Sequence, residues 1–270
     1  MPVAAATMTN GSTNGSPGGR AKISIRGAAK RFGDMVALEG VDLDLQENSF
    51  TCLLGPSGCG KSTLLNMIAG FAEPSAGQVL VDGVAVKGPS ADRGVVFQEY
   101  ALFPWRTALD NVAFGPMLKG RSKAEQQEVA RRYLTLVGLA GHEQKYPGNL
   151  SGGMKQRVAI ARALGNDPTV LLMDEPIGAL DGQTRETVQE ELLRIWEVDR
   201  KTVVFVTHSI SEAIFLADRV VVMATRPGAV KQVFDIEMPR PRERTDADFV
   251  RLEREIKLLV RAEVQKLGVI

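Results

Sequence analysis

The sequence predicts an α/β fold with a mostly parallel central sheet, an N-terminal antiparallel β subdomain and an α-helical subdomain. Three observations carry that prediction. Largely apolar strand-like runs at 169–173, 202–207 and 219–224 alternate with helical patterns at 187–198 and 211–217, as parallel strands covered on both faces do. Residues 22–45 alternate apolar and polar side chains, broken by Arg31-Phe32-Gly33-Asp34, which reads as antiparallel strands about a turn. Residues 99–164 change to a helical pattern, strongly amphipathic over 123–137, with Gly138 placed to end it.

The remaining elements follow in chain order. Residues 1–20 are rich in Ala, Thr, Asn, Gly and Ser, with neither a basic start nor an apolar block. They are therefore not a signal peptide and are expected to form a disordered leader. Residues 50–54 form a short buried strand that enters a glycine-rich loop, and 62–69 a helix stopped by Gly70. Residues 77–86 read as strand, with Asp82-Gly83 as a hairpin turn. In the tail, Phe249, Leu252, Ile256 and Leu259 share one helical face, and Thr245 with Asp248 has the spacing of a capping box. That face packs either on its own domain or on a partner copy. The expected division is a leader at 1–20, a catalytic domain at 21–240 with its helical subdomain at about 99–164, and an amphipathic helix at 241–270.

Composition narrows the function. The 270 residues are 44% hydrophobic and 24% charged, ordinary for a globular chain. The 33 basic and 32 acidic residues leave a formal charge of +1, so no overall field favours nucleic acid or anionic lipid. No apolar run approaches the roughly 20 residues that cross a bilayer. Cys52 and Cys59 are too sparse for a disulfide framework and point to a reducing compartment.

Chemistry enters at Gly55-Pro56-Ser57-Gly58-Cys59-Gly60-Lys61-Ser62-Thr63, which matches the P-loop pattern between a buried strand and a helix. Glycines let backbone N–H groups turn inward around phosphates, and the helix N-terminus adds partial positive charge. Lys61 would reach the β and γ phosphates of ATP, Ser62 would ligate Mg²⁺, and Thr63 would add a phosphate contact. Asp174 and Glu175 end the apolar strand at 170–173, where a carboxylate points into the ligand crevice. There Asp174 would hold Mg²⁺ and Glu175 would polarise the attacking water. Leu150-Ser151-Gly152-Gly153-Met154-Lys155-Gln156 opens another helix, whose free N–H groups, serine hydroxyl and dipole can face one anion.

This ordered set resembles the ABC ATPase family over nearly the whole chain from about Ala21. The resemblance adds further roles. Gln98 matches the glutamine loop, which contacts Mg²⁺ or the water and senses the permease. Ala179-Leu180-Asp181 matches the loop that crosses to the partner subunit, His208 the switch histidine at the γ-phosphate, and Phe32 the aromatic that stacks on adenine. It also implies a head-to-tail dimer, in which the 150–156 signature of one copy closes on ATP held by the other.

Residues 94–106 and 110–112, with Arg226-Pro227-Gly228 and 238–242, resemble the nitrate/sulfonate/taurine importer branch. Ile177 departs from that branch's usual phenylalanine. The implied partners are transmembrane permease subunits and, indirectly, an extracytoplasmic solute-binding protein. The implied place is the cytoplasmic face of the membrane. Tyr100, Leu102, Phe103 and Trp105 are candidates to line the permease groove. An exporter or lipid-system ATPase keeps the same catalytic motifs. A DNA-maintenance ATPase would need a long coiled coil between Lys61 and Ser151, for which there is no room.

Overall fold

A computed structural model of the chain describes residues 20–178 and 180–266, so all but Arg20 of the expected leader, Ala179 and the last four residues lie outside the described residues. Strands β1 (Ala21–Phe32) and β2 (Met35–Gln46) form a hairpin about Gly33, whose φ of 57° suits the tight turn. After β3 (Phe50–Leu54) comes α1 (Lys61–Ala69), then β4 (Ala76–Val81), β5 (Val84–Ala85) and β6 (Arg93–Val96). The helical region holds α2 (Ala108–Val112), α3 (Phe114–Leu118), α4 (Lys123–Leu136) and α5 (Gly152–Gly165). The chain continues through β7 (Val170–Asp174), α6 (Gly182–Val198), β8 (Thr202–Thr207), α7 (Ile210–Leu216), β9 (Arg219–Ala224), β10 (Ala229–Asp235) and α8 (Ala247–Gln265).

These strands make two sheets. One is antiparallel, in the order β2-β1-β4-β5, and the other runs β10-β9-β3-β8-β7-β6, parallel except at the β10 edge. Every residue of β3 and β8 is buried, which is why both read as unbroken apolar runs. The pleat sends their side chains alternately into two cores. Leu53 joins Val204, Val206 and α1 between the sheets, while Cys52 and Leu54 join Phe205 and the helical side.

The sequence missed two strands. β6 is only four residues long and opens on Arg93, and β10 is an amphipathic edge strand with two exposed positions in its middle. Helix α6 starts five residues earlier than its apolar pattern, because Asp181 caps it. The expected capping box at Thr245 and Asp248 does not form: Asp246 is the N-cap residue, without a side-chain cap bond. In α8, Phe249 and Ile256 are buried, and Leu252 and Leu259 pack partly against the main core.

Two positive-φ glycines differ in the room they leave for a side chain. Gly77, at φ +70°, brings its α-carbon so near β1 that a Cβ would lie 2.3 Å from the Gly27 carbonyl oxygen. Gly83, at φ +78° in the β4–β5 turn, has open space there. Gly83→Ala therefore bears only the left-handed backbone penalty, about 1–2 kcal/mol. Gly77→Ala adds a backbone clash that must open the β1–β4 pairing, and destabilises more. Urea denaturation of the two variants checks the order.

Candidate functional site

The sheet order places four loops side by side. The loop after β3 carries Lys61, that after β8 carries His208, β7 ends in Asp174 and Glu175, and Gln98 follows β6. Since β3, β8, β7 and β6 are parallel, all these residues leave the same carboxyl edge.

The 55–60 loop depends on glycine at its ends. A Cβ on Gly55 would sit 2.8 Å from Cys59 Sγ, and one on Gly60, at φ +90°, 2.5 Å from Leu38 Cδ2 of β2. The loop thus rests directly on β2. Lys61 is buried, and its Nζ donates to the carbonyls of Gly55 (2.7 Å) and Pro56 (3.0 Å), 3.7 Å from Cys59 Sγ. The ammonium is therefore held at the centre of the loop. Burial pushes the Cys59 thiol pKa up, and the Lys61 charge offsets part of that. Ser57 and Gly58 are exposed at the loop tip, and Thr63 is half-buried in the first turn of α1.

Ser62 joins this loop to the next strand, donating its hydroxyl to Asp174 Oδ1 at 2.9 Å. Burial raises the Asp174 carboxyl above the usual range. The Glu175 charge adds to the rise, and the Ser62 hydrogen bond and Lys61 oppose it. Glu175 has a φ of 43°, uncommon for a residue with a side chain, and its N–H donates to Val206 O at 3.1 Å. Its Oε2 lies 3.3 Å from Nδ1 of the exposed His208.

A hydroxyl and a carboxylate oxygen brought together, with the Gln98 amide one strand beyond, form an all-oxygen donor set suited to Mg²⁺. That ion binds through one or two carboxylates plus water and phosphate oxygens. Among the described residues no three His, Cys, Asp or Glu side chains are grouped so as to hold a metal ion by themselves. Phe32 ends β1 half exposed, with Lys30 Nζ 5.3 Å from its ring centre.

The signature turn stands apart. Ser151 is exposed and caps α5, its Oγ accepting from Met154 N at 3.3 Å. A Cβ on Gly153 would lie 2.8 Å from Thr184 Cγ2 of α6, and one on Gly152 3.3 Å from the Tyr100 hydroxyl. Leu150 and Gln156 are buried, and both polar atoms of the Gln156 amide lack a partner among the described residues. Met154 and Lys155 are half-buried. Among the described residues, no hydrogen bond or ion pair joins 150–156 to the 55–63 loop. Asp181 caps α6 by accepting from Thr184 N at 3.0 Å, and those hydrogen bonds hold its carboxyl below the usual range. Leu180 beside it is buried.

An apolar groove of about 560 Å³ opens beside Gln98, lined by Phe97, Phe103, Phe114 and Leu118 with Arg162 and Lys119 at its sides. Of the four residues expected there, only Phe103 lines it. Tyr100 and Leu102 turn into the core, and Trp105 is exposed beside Phe103, with ring centres 5.8 Å apart. The alternation of aromatics along 97–105 gave no face, because this stretch is irregular rather than helical. Sequence reasoning also missed Arg185 and Glu212, which border Glu175 and His208 and belong to no local motif.

Comparison with known proteins gives consistent matches. The family model described as "ABC transporter" matches residues 38–178. The chain is 53% identical over 218 residues to the nitrate import ATP-binding protein NrtD of Synechococcus elongatus, spanning 78% of each chain. It is 48% identical over 217 residues to the taurine import ATP-binding protein TauB of Roseobacter denitrificans, covering 78% of this chain and 81% of that one. Its structure is similar to a dimeric ATP-binding cassette in a post-hydrolysis state with ADP and Pi. There the TM-score is 0.69 at 34% identity, covering 80% of this chain and 100% of that one.

The electrostatics make Asp174 a destabilising carboxylate at neutral pH. A raised folded-state pKa means that its protonated form favours folding, and that this contribution is lost as pH rises through the raised value. Asp174→Asn should therefore raise Tm at pH 7 to 8, and the gain should shrink as pH falls through the carboxyl's titration. Calorimetry of both proteins across pH 4 to 8 measures it.

Proposed function

Because the chain belongs to the ABC transporter family, we propose that it is the ATP-hydrolysing subunit that energises import of a small nitrate-, sulfonate- or taurine-like solute through a separate permease. The observation that carries the reading is the meeting of Lys61, Ser62, Asp174, Glu175 and His208 on one sheet edge, with the Ser151 turn outside that cluster. Such a half-site is complete as a phosphate cradle and incomplete as an enclosure.

The substrate ATP carries about four negative charges, whose mutual repulsion is offset only among cations and N–H dipoles. The loop's N–H groups and Lys61 bind the β and γ phosphates, and Phe32 stacks on the adenine. Ser62, Asp174 and Gln98 would hold Mg²⁺, which when bound neutralises phosphate charge. Glu175 orients the attacking water and takes its proton, and His208 holds the carboxylate and the γ-phosphate in register. A second copy, head to tail, brings Ser151 and the Gly152-Gly153 N–H groups to the other side of that phosphate, with 179–181 at the seam. Hydrolysis removes the shared anion and lets the halves part.

The groove beside Gln98 takes a short permease helix, its apolar lining matching an apolar helix face. No helix among the described residues is long and apolar enough to cross a membrane. The permease contact would hold the chain at the cytoplasmic face. Relatives of similar identity carry different solute names, nitrate and taurine. Solute choice therefore rests with the permease and a solute-binding protein outside the membrane, neither of which changes the nucleotide chemistry.

Two variants test the reading. Glu175→Gln keeps ATP binding, lowers turnover at least about a hundredfold, and accumulates an ATP-bound dimer on size exclusion. Turnover at the wild-type rate would remove Glu175 from the role. Lys61→Ala weakens ATP binding at least about tenfold, as loss of a charge-assisted contact implies. Equilibrium titration with a fluorescent ATP analogue reads it, and an unchanged Kd contradicts the cradle.

A further inference from the structure

Beside Glu175 and the exposed His208 lies a small, partly open cavity of about 10 Å³, bordered also by Gly178, Arg185, Thr207, Ser209 and Glu212. That is room for about one water molecule. Its walls come from four parts of the chain. Glu175 and Gly178 follow β7, Thr207 ends β8 with His208 and Ser209 just after it, Glu212 lies on α7, and Arg185 lies on α6.

Two wall groups remain unexplained by the fold. Arg185 Nη2 straps the crossing loop, donating to Leu180 O at 2.9 Å and Gly178 O at 3.3 Å, but its Nε is buried without a partner among the described residues. Glu212 is 5% exposed. Its Oε1 accepts from Gln189 Nε2 at 3.0 Å, and Gln189 Oε1 in turn accepts from Arg244. Burial raises the Glu212 carboxyl, while Thr207, Gln189, Arg185 and His208 all favour its charged form. A buried carboxylate and a buried unpaired guanidinium N–H on one cavity are costly apart and mutually satisfying together.

We propose that Arg185 and Glu212 act as a positioning pair, joined across this cavity directly or through one water, that ties the 179–181 crossing loop to the His208–Glu175 pair. The proposal rests on the catalytic reading above. Neither residue touches ATP. Arg185 fixes the loop whose far side meets the partner copy, and Glu212 sits one turn beyond His208 at the start of α7, beneath the switch. Seating of the partner's edge would thus be felt where water is oriented, so that turnover waits for closure.

Steady-state ATP hydrolysis by the full chain tests it, with Glu212→Gln, Arg185→Gln and the double variant, each with its unfolding temperature. Each single change should lower kcat about tenfold with KM for ATP within about twofold. The double variant should stay within about twofold of the weaker single, because one link cannot be broken twice. Losses that multiply, single variants with wild-type kcat, or losses that follow KM and unfolding temperature together would overturn the pair as a positioning device. Where Glu212→Gln fails to fold, Arg185→Gln alone decides the case by its kcat against KM, since Arg185 is only half-buried. An unmodified chain with no turnover, by contrast, would remove the catalytic reading, and the pair with it.

Discussion

The site depends on the parallel pairing of β3 with β8. Phe50 to Leu54 lie opposite Val203 to Thr207 in unbroken register, and every side chain in both strands is buried. A slip of one residue would exchange the two faces of each strand and send Leu53 into the helical core in place of Leu54. It would also shift Lys61 against His208 along the sheet edge. The glycine loop and His208 are therefore positioned by hydrophobic packing some distance beneath them as well as by their own contacts. The pairing of β7 with β8 carries Asp174 and Glu175 into the same row.

On that foundation the charges are arranged for an anion the protein does not itself supply. Lys61 rests on two carbonyls of its own loop, and Asp174 rests on Ser62 with its carboxyl raised by burial. Among the described residues neither is joined to a partner of full opposite charge. A cluster left this way gains most from a ligand that brings phosphate and cation together, and it loses stability in their favour. The Glu175 backbone at positive φ belongs to the same pattern, a local cost at the point where a water must be aimed.

The 55–63 loop and the 150–156 turn are built by the same device, a helix N-terminus opened by glycines, and among the described residues no hydrogen bond joins them. Gly153 is pinned against Thr184 of α6, and Asp181 caps that same helix. The turn and Asp181 are thus both held against α6. Arg185 and Gln189 lie on this helix, which places it between the Asp181 cap and the cavity bordered by Glu175 and Glu212.

Much of this was legible in the sequence, and the reason differs by residue. The phosphate loop was readable because its chemistry is backbone chemistry, which imposes glycine spacing on consecutive positions. Asp174-Glu175 and His208 were readable because each follows a strand so apolar that its end is unmistakable. The strand β6 was not, since four residues opening on Arg93 carry no period, nor was β10, whose edge position leaves it half polar. Along 97–105 the aromatics were visible, but their directions were not. Tyr100 and Ala101 adopt positive φ, and no helical or strand period governs such a segment. The Arg185–Glu212 cavity has no sequence signal, because its walls are separated by whole elements. The sequence by itself determined which residues are candidates to hold a triphosphate, since those lie within one strand–loop–helix. Only the tertiary structure decided which carboxylate, histidine and arginine stand beside them, because strand order in a sheet is set by packing between segments far apart in the chain.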